Sequence, residues 1–225
     1  MESIENSAIT SERMGHNSFM TRRIILASAS PSRKRLLESV NLSFDVLVSG
    51  VDEENPEITK LSPSEMVIAL AILKAHTVKM NFDCGSNALI IGCDSTFEFE
   101  GESLGKPGTR ENAIERARRL SGKSGLLHTG HSVIDTTQNI EVSDISTARV
   151  HFAKMSEEEI ENYVDSGEPL NVAGGFTLDG LSAPFITHIE GDPSGIIGLS
   201  LPTLRKIVIN LGLKWSDLTR EQVRA

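Results

Sequence analysis

The run Ala88-Leu89-Ile90-Ile91-Gly92-Cys93 carries no charge and is flanked by polar residues on both sides. A stretch this short and this apolar reads as a strand buried on both faces, and such a strand needs covering layers above and below it. It is the expected centre of a sheet flanked by helices. Around it, strand and helix signals alternate. Ile24-Ile25-Leu26-Ala27 is a second buried strand, followed by helical spacing at Leu36, Leu37 and Val40, with Ser30 as N-cap and Pro31 at the first helical position. A strand is expected over Phe44 to Val48. Ser62-Pro63-Ser64-Glu65 is a capping box opening a helix through Met66, Ala69, Leu70 and Leu73.

After the central run, Phe97 and Phe99 alternate with Glu98 and Glu100. This pattern predicts a separate, exposed strand, which puts Asp94 at the carboxyl end of the central one. Thr109 caps a helix over Ala113 to Leu120, and Leu127 to Ile134 and Glu141 to Phe152 read as strands paired around Thr137-Gln138-Asn139. Ser156 and Glu159 form another capping box, with Gly167 ending the helix. The glycine-rich stretch Asn171 to Gly198 holds strand-like runs near Gly175 to Leu178 and Pro184 to Ile189, and a last helix covers Leu204 to Leu211. The expected class is α/β, with a mixed central sheet flanked by helices. Residues 1–20, without apolar periodicity, read as a mobile extension, and residues 21–225 as one domain, consistent with a length of 225 residues.

Composition narrows the function. Lys and Arg number 22 against 31 Asp and Glu, a net charge of -9, so no basic surface exists to hold a nucleic acid through counterion release. Aromatic residues are 4% of the chain, which leaves little material for stacking bases. No stretch approaches the roughly 18 to 20 apolar residues of a membrane helix, and no apolar secretory core follows the N-terminus. Cys84 and Cys93 make no metal-type spacing, and two cysteines are too few for a disulfide scaffold. The expected setting is the cytoplasm, with no membrane or nucleic-acid partner.

The turn from Ser28 to Arg35 places hydroxyls, free backbone N–H groups and a guanidinium at a helix N-terminus, an arrangement suited to phosphate. A capped surface helix with a solvated basic face fits the same residues. Asp94, following a buried strand, stands where open α/β sheets place ligands, and is either a metal ligand, a proton acceptor or the cap of a turn. Asp52-Glu53-Glu54 is either a solvated loop or the source of a second carboxylate for a hard cation such as Mg²⁺ or Mn²⁺. Lys106 is fixed between Gly105 and Pro107, whereas Lys74 lies on a mostly apolar helix and is able to snorkel. Other motifs fail. Gly122-Lys123-Ser124 lacks the upstream glycine of a P-loop, since position 117 is alanine in a helix. His128 and His131, three apart on a strand, point to opposite faces.

Six motifs occur in one order: Ser28-Ala29-Ser30-Pro31-Ser32-Arg33, Gly92-Cys93-Asp94-Ser95, Gly105-Lys106-Pro107, Ser121-Gly122-Lys123 with His128-Thr129-Gly130, Ala173-Gly174-Gly175-Phe176 with Asp179-Gly180, and Ile197-Gly198-Leu199-Ser200-Leu201-Pro202. Together they resemble the Maf family of nucleoside triphosphate pyrophosphatases, over about Arg22 to Gly212. The resemblance implies a two-lobed α/β fold with a deep central cleft, a divalent cation (Mg²⁺ or Mn²⁺), and hydrolysis of a nucleoside triphosphate to monophosphate and pyrophosphate in the service of nucleotide-pool house-cleaning. It matches Asp94 to the family's proton-accepting aspartate, Glu53 to its acidic metal residue, Ser28 and Arg33 to its phosphate-binding serine and arginine, and Lys74 and Lys106 to its two lysines; the residue reading above adds Ser30 to the phosphate set and Asp94 to the metal set. A homodimer is ordinary for the family, which has also been linked to arrest of cell division. At the positions that read the base in the branch acting on dTTP and UTP, this chain carries Ser32, Ser95 and Asp179 in place of Arg, Thr and Gln. An aspartate there has acceptor chemistry that suits the N1 and N2 edge of guanine. The rival readings are a nucleotide-binding regulator of cell division without turnover and a phosphomonoesterase releasing orthophosphate.

Overall fold

A computed structural model describes residues 22–53 and 55–219. The extension expected over residues 1–20 lies outside the described residues. Seven strands form one mixed sheet: β1 (Arg23–Leu26), β2 (Asp45–Val46), β3 (Ala88–Phe99), β4 (Glu102–Leu104), β5 (Ser124–Asp135), β6 (Ile140–Phe152) and β7 (Ile186–Glu190), in the order β2-β1-β3-β5-β6-β7 with β4 also paired to β3. The first two strands run parallel to their neighbours, and β3 through β7 pair antiparallel.

The central run is longer than its apolar core. β3 continues without a break through Asp94 to Phe99, because β5 pairs with it from Leu89 to Glu98. Asp94 therefore lies in the middle of a strand and not at its carboxyl end, and the separate exposed strand expected around Phe97 does not exist. Phe97 and Phe99 are both buried; Phe97 packs edge-on against Phe152 and Phe176, and the Arg119 and Lys123 side chains lie over the Phe99 ring. The alternation with Glu98 marked a strand with one covered face, and sequence alone does not say which residues that face takes. On its other edge β3 changes partners. β1 pairs with Ala88 to Ile91 and β4 with Phe97 to Phe99, so the strand edge around Asp94 lies between the two. Here the chain leaves β1 through Ala27 to Ser30 and enters α1 (Pro31–Ser39).

The remaining helices are α2 (Pro56–Thr59), α3 (Pro63–Asn81), α4 (Arg110–Leu120), α5 (Glu157–Asp165), α6 (Pro193–Ile197), α7 (Leu201–Asn210) and α8 (Trp215–Thr219). The expected caps hold. Ser30, Ser62, Thr109 and Ser156 each accept a hydrogen bond from the backbone N–H three residues on, and the boxes Ser62/Glu65 and Ser156/Glu159 are reciprocal. The strand-like run near Gly175 to Leu178 is instead a one-turn 3-10 segment, Ala173–Gly175, followed by an irregular loop. Apolar packing is divided: Leu26, Leu37, Ile91, Leu204 and Ile207 belong to one cluster, and Phe97, Leu127, Val150 and Phe176 to another. Among the described residues, no helix is long and apolar enough to cross a membrane, and both cysteines are free and buried.

Two glycines fix how α3 lies on the sheet. A Cβ on Gly92 of β3 would run into the carbonyl of Ala71, and one on Gly130 of β5 into that of Val67. The helix backbone thus rests directly on the strands, and residues two along from Gly92 share its face. Asp94 is that residue, and α3 brings Lys74 to it.

Candidate active site

A pocket of about 600 Å³ opens between the β1–α1 turn, the middle of β3, the loop 48–53, the turn before α4 and the segment 171–179. This volume falls in the range of small-molecule sites, roughly 300–1,000 Å³. All ten residues singled out from the sequence line it: Ser28, Ser30, Ser32, Arg33, Glu53, Lys74, Asp94, Ser95, Lys106 and Asp179.

Lys74 does not snorkel. Its side chain is buried, and Nζ donates to Asp94 Oδ1 at 2.6 Å and lies 2.6 Å from Glu53 Oε1. The acidic loop after β2 is thereby tied to the central strand, with one ammonium between two carboxylates. Their environments differ. Burial pushes the Asp94 carboxyl above its ordinary pKa, more strongly than the charges of Lys74 and Arg33 pull it down. Glu53 is also penalised by burial, but its hydrogen bond to Lys74 and the charges of Lys74, Lys106 and Arg33 outweigh that and hold it below the usual range.

Arg33 is buried on α1. Nε donates to Gly198 O at 2.8 Å, Nη1 to Ser28 Oγ at 3.0 Å and Nη2 to Ser95 Oγ at 3.2 Å. Among the described residues these partners are neutral oxygens, so no carboxylate sits in hydrogen-bonding contact with this guanidinium. A buried cation with neutral partners beside a helix N-terminus has charge and geometry suited to an anion. Ser30 spends its hydroxyl on the backbone N–H of Arg33 at 3.4 Å, as an N-cap. Ser28 Oγ accepts from Ser30 N as well as from Arg33. Ser95 pairs with Thr129 Oγ1 at 2.9 Å, and Thr129 donates to Gly195 O at 2.8 Å, which anchors α6 to β5.

Lys106 projects from a braced turn, whose Gly105 carbonyl accepts from Gly174 N at 3.2 Å and from the Arg116 guanidinium. Asp179 is held by Arg35, whose Nη2 donates to its Oδ2 at 2.9 Å. No individual role could be read from the sequence for the Gly198 carbonyl or for Thr129, and Arg35 stood there only as the end of the turn suited to phosphate. The carbonyl had no signal to give, because any residue supplies one; Gly198 at φ 129° marks only a turn that favours glycine. The two histidines stay apart as expected, His128 between Glu98 and Thr147 and His131 against Ser200.

The donor set tests whether a divalent cation fits. Glu53 and Asp94 share one lysine, which leaves a net negative charge in that trio, and both offer hard oxygen donors. Among the described residues no group of three or more metal-binding side chains converges. Two carboxylates alone make a weak cage, but Mg²⁺ commonly takes one or two carboxylates and completes its shell with substrate phosphates and water. The residues fit such an ion.

Residues 23–211 match the family model described as Maf-like protein. Curated relatives include a nucleoside triphosphate pyrophosphatase of Streptomyces coelicolor, 47% identical over 88% of this chain and 94% of its own length. Proteins of the same description occur in Salinispora tropica, 45% identical over 87% of both chains, and in Nostoc punctiforme, 44% identical over 86% of this chain and 95% of its own. With the family model spanning nearly every described element from β1 to α7, and with relatives this similar along almost their full lengths, the chain belongs to the Maf family.

Proposed function

We propose that this protein is a nucleoside triphosphate pyrophosphatase, which cleaves the bond between the α- and β-phosphates and so removes triphosphates from the nucleotide pool. One observation carries the reading. A buried guanidinium with neutral partners and a lysine-bridged carboxylate pair share a single pocket. The relatives' shared description supports the same reaction class.

In this mechanism the N-terminus of α1, Arg33 and Ser28 receive phosphate oxygens, and Lys106 adds charge from its braced turn. Fixed donors of this kind need no reorganisation as charge builds on the departing pyrophosphate, which is the main device of phosphoryl chemistry. Asp94, made more basic by burial and aimed by Lys74, takes the proton of a water attacking the α-phosphorus. The water oxygen bonds to phosphorus, the bridging oxygen leaves with pyrophosphate, and the monophosphate remains. Glu53 and Asp94 would hold a divalent cation, Mg²⁺ or Mn²⁺, which when bound supplies further neutralisation of phosphate charge.

The test is to incubate the protein with Mg²⁺ or Mn²⁺ and a panel of nucleoside triphosphates and to separate the products. Monophosphate with equimolar pyrophosphate is expected. Orthophosphate as the first product would make it a phosphatase, and binding without turnover would favour a regulator.

A further inference from the structure

The Arg33 fork is oriented from behind the pocket. Ser95 on β3 and Thr129 on β5 are cross-strand partners, and Thr129 is fully buried. Gly130, next in the chain, turns its face to α3, so Thr129 faces the opposite side of the sheet, toward α6. A single line of hydrogen bonds results. Arg33 Nη2 donates to Ser95 Oγ at 3.2 Å, Ser95 Oγ lies 2.9 Å from Thr129 Oγ1, and Thr129 Oγ1 donates to Gly195 O at 2.8 Å.

Both ends of this line have fixed polarity, because a guanidinium only donates and a carbonyl only accepts. Thr129 has one proton, and Gly195 O takes it. The Ser95 hydroxyl must therefore give its own proton to Thr129, which leaves the Ser95 oxygen to accept from Arg33 and no hydroxyl proton for a nucleotide. Hydrogen bonds aligned in one direction polarise one another, so the line grips the guanidinium more firmly than an isolated serine would.

The same threonine reaches the other arm of the fork. Gly195 O also accepts from Gly198 N at 3.1 Å, and Gly198 O accepts from Arg33 Nε at 2.8 Å. Cys93, beside Asp94, donates from Sγ to that second carbonyl at 3.2 Å. Among the described residues, Arg33 thus has partners for Nε–H and for one N–H on each Nη, which leaves one N–H on each Nη to meet phosphate oxygens. We propose that Thr129 is a positioning residue, which acts through Ser95 and through the Gly195–Gly198 turn to hold the Arg33 fork in register for phosphate. The proposal rests on the reading of Arg33 as a phosphate ligand of the pyrophosphatase.

Inorganic pyrophosphate, the product expected against Arg33, probes this without a base and without turnover. Calorimetric titration of the full chain with Mg²⁺ present reads its affinity. Thr129→Val keeps the shape of the side chain and removes the relay. It should weaken pyrophosphate binding about tenfold, as for loosening a hydrogen bond to a charged group, and Thr129→Ser should bring affinity back to within about twofold of the parent. In an Arg33→Lys background, where no fork remains to be oriented, Thr129→Val should change affinity by less than about twofold. Ser95→Ala reads the relay from its other end and should lose affinity likewise, again not in the Arg33→Lys background, so the outcome does not depend on one variant folding. Losses that persist undiminished in the Arg33→Lys background would overturn the proposal. So would a lowered melting temperature with affinity intact in both Thr129→Val and Ser95→Ala, which would make Thr129 a structural tie only. A parent protein that does not bind pyrophosphate would also overturn it, even if the product panel shows hydrolysis. The expected pattern without any turnover in that panel would sink the hydrolase reading and leave the relay standing.

Discussion

At the scale of single residues, the site is organised by what each charge lacks. Arg33 has three neutral partners and no carboxylate in contact among the described residues, whereas Lys74 has two carboxylates for one ammonium. In the proposed reading the first arrangement takes an anion and the second a cation, and a triphosphate with its counterion would supply both. Two predictions follow this logic. Asp94→Asn keeps the size of the side chain and a hydrogen-bonding oxygen for Lys74 but removes the proton acceptor. It should lower kcat by about 10² to 10⁴ while KM changes much less; unchanged kcat in single-turnover measurements would remove Asp94 from the chemistry. Arg33→Lys keeps the charge but cannot reach Gly198 O, Ser28 and Ser95 together, because an ammonium lacks the planar fork. Its kcat/KM should fall tenfold or more, and a wild-type value would show that charge alone suffices there.

The elements show why some of this was legible in the sequence and some was not. Caps and turns are written locally, so the starts of α1, α3, α4 and α5 at Ser30, Ser62, Thr109 and Ser156 could be read directly. The residues that line the pocket were legible as well, through the order of six short motifs. What could not be read was how far β3 runs. Its length is set by pairing with β5, a partner well downstream in the chain (Leu89 opposite Asp135, Glu98 opposite Leu126), so Asp94 looked terminal when it is central. The docking of α3 was missed for the opposite reason. Its signal, Gly92 and Gly130 inside buried strands, was present but was not read as a place where a helix backbone touches the sheet. That contact is testable. Gly130→Ala must push α3 off β5 and carry Lys74 away from Asp94, so it should destabilise by about 1 to 3 kcal/mol and also cost activity. If urea unfolding moves but kcat/KM does not, Lys74 is placed by something other than the seat of α3.

Across the whole molecule, one buried histidine ties the sheet to the anion site. His131 on β5 is fully buried, and its Nε2 accepts from Ser200 N at 2.9 Å, which fixes the ring as neutral with its proton on Nδ1. Ser200 caps α7, and two residues before it Gly198 presents the carbonyl that holds Arg33. Burial, with help from the Arg33 charge and against the opposing pull of Asp144 and Asp192, pushes the His131 pKa down to about 4. An unfolded chain protonates its histidine near the ordinary value of about 6.5. Between those limits the unfolded state binds the extra proton and the folded state refuses it, so stability must rise with pH across this window. The contribution is complete above about pH 6.5, declines as the pH falls toward 4, and is flat below that, with a total of about 3 kcal/mol from this one group. Protonation of Nε2 would also set a donor against Ser200 N–H and loosen the turn that carries Gly198. Urea unfolding at pH 7.0, 5.5 and 4.5 should therefore show a steady loss, and His131→Asn, less stable at pH 7, should show a much shallower one. A variant that loses stability as steeply as the parent would assign the pH dependence to other groups, and the link from His131 to Arg33 would fail with it.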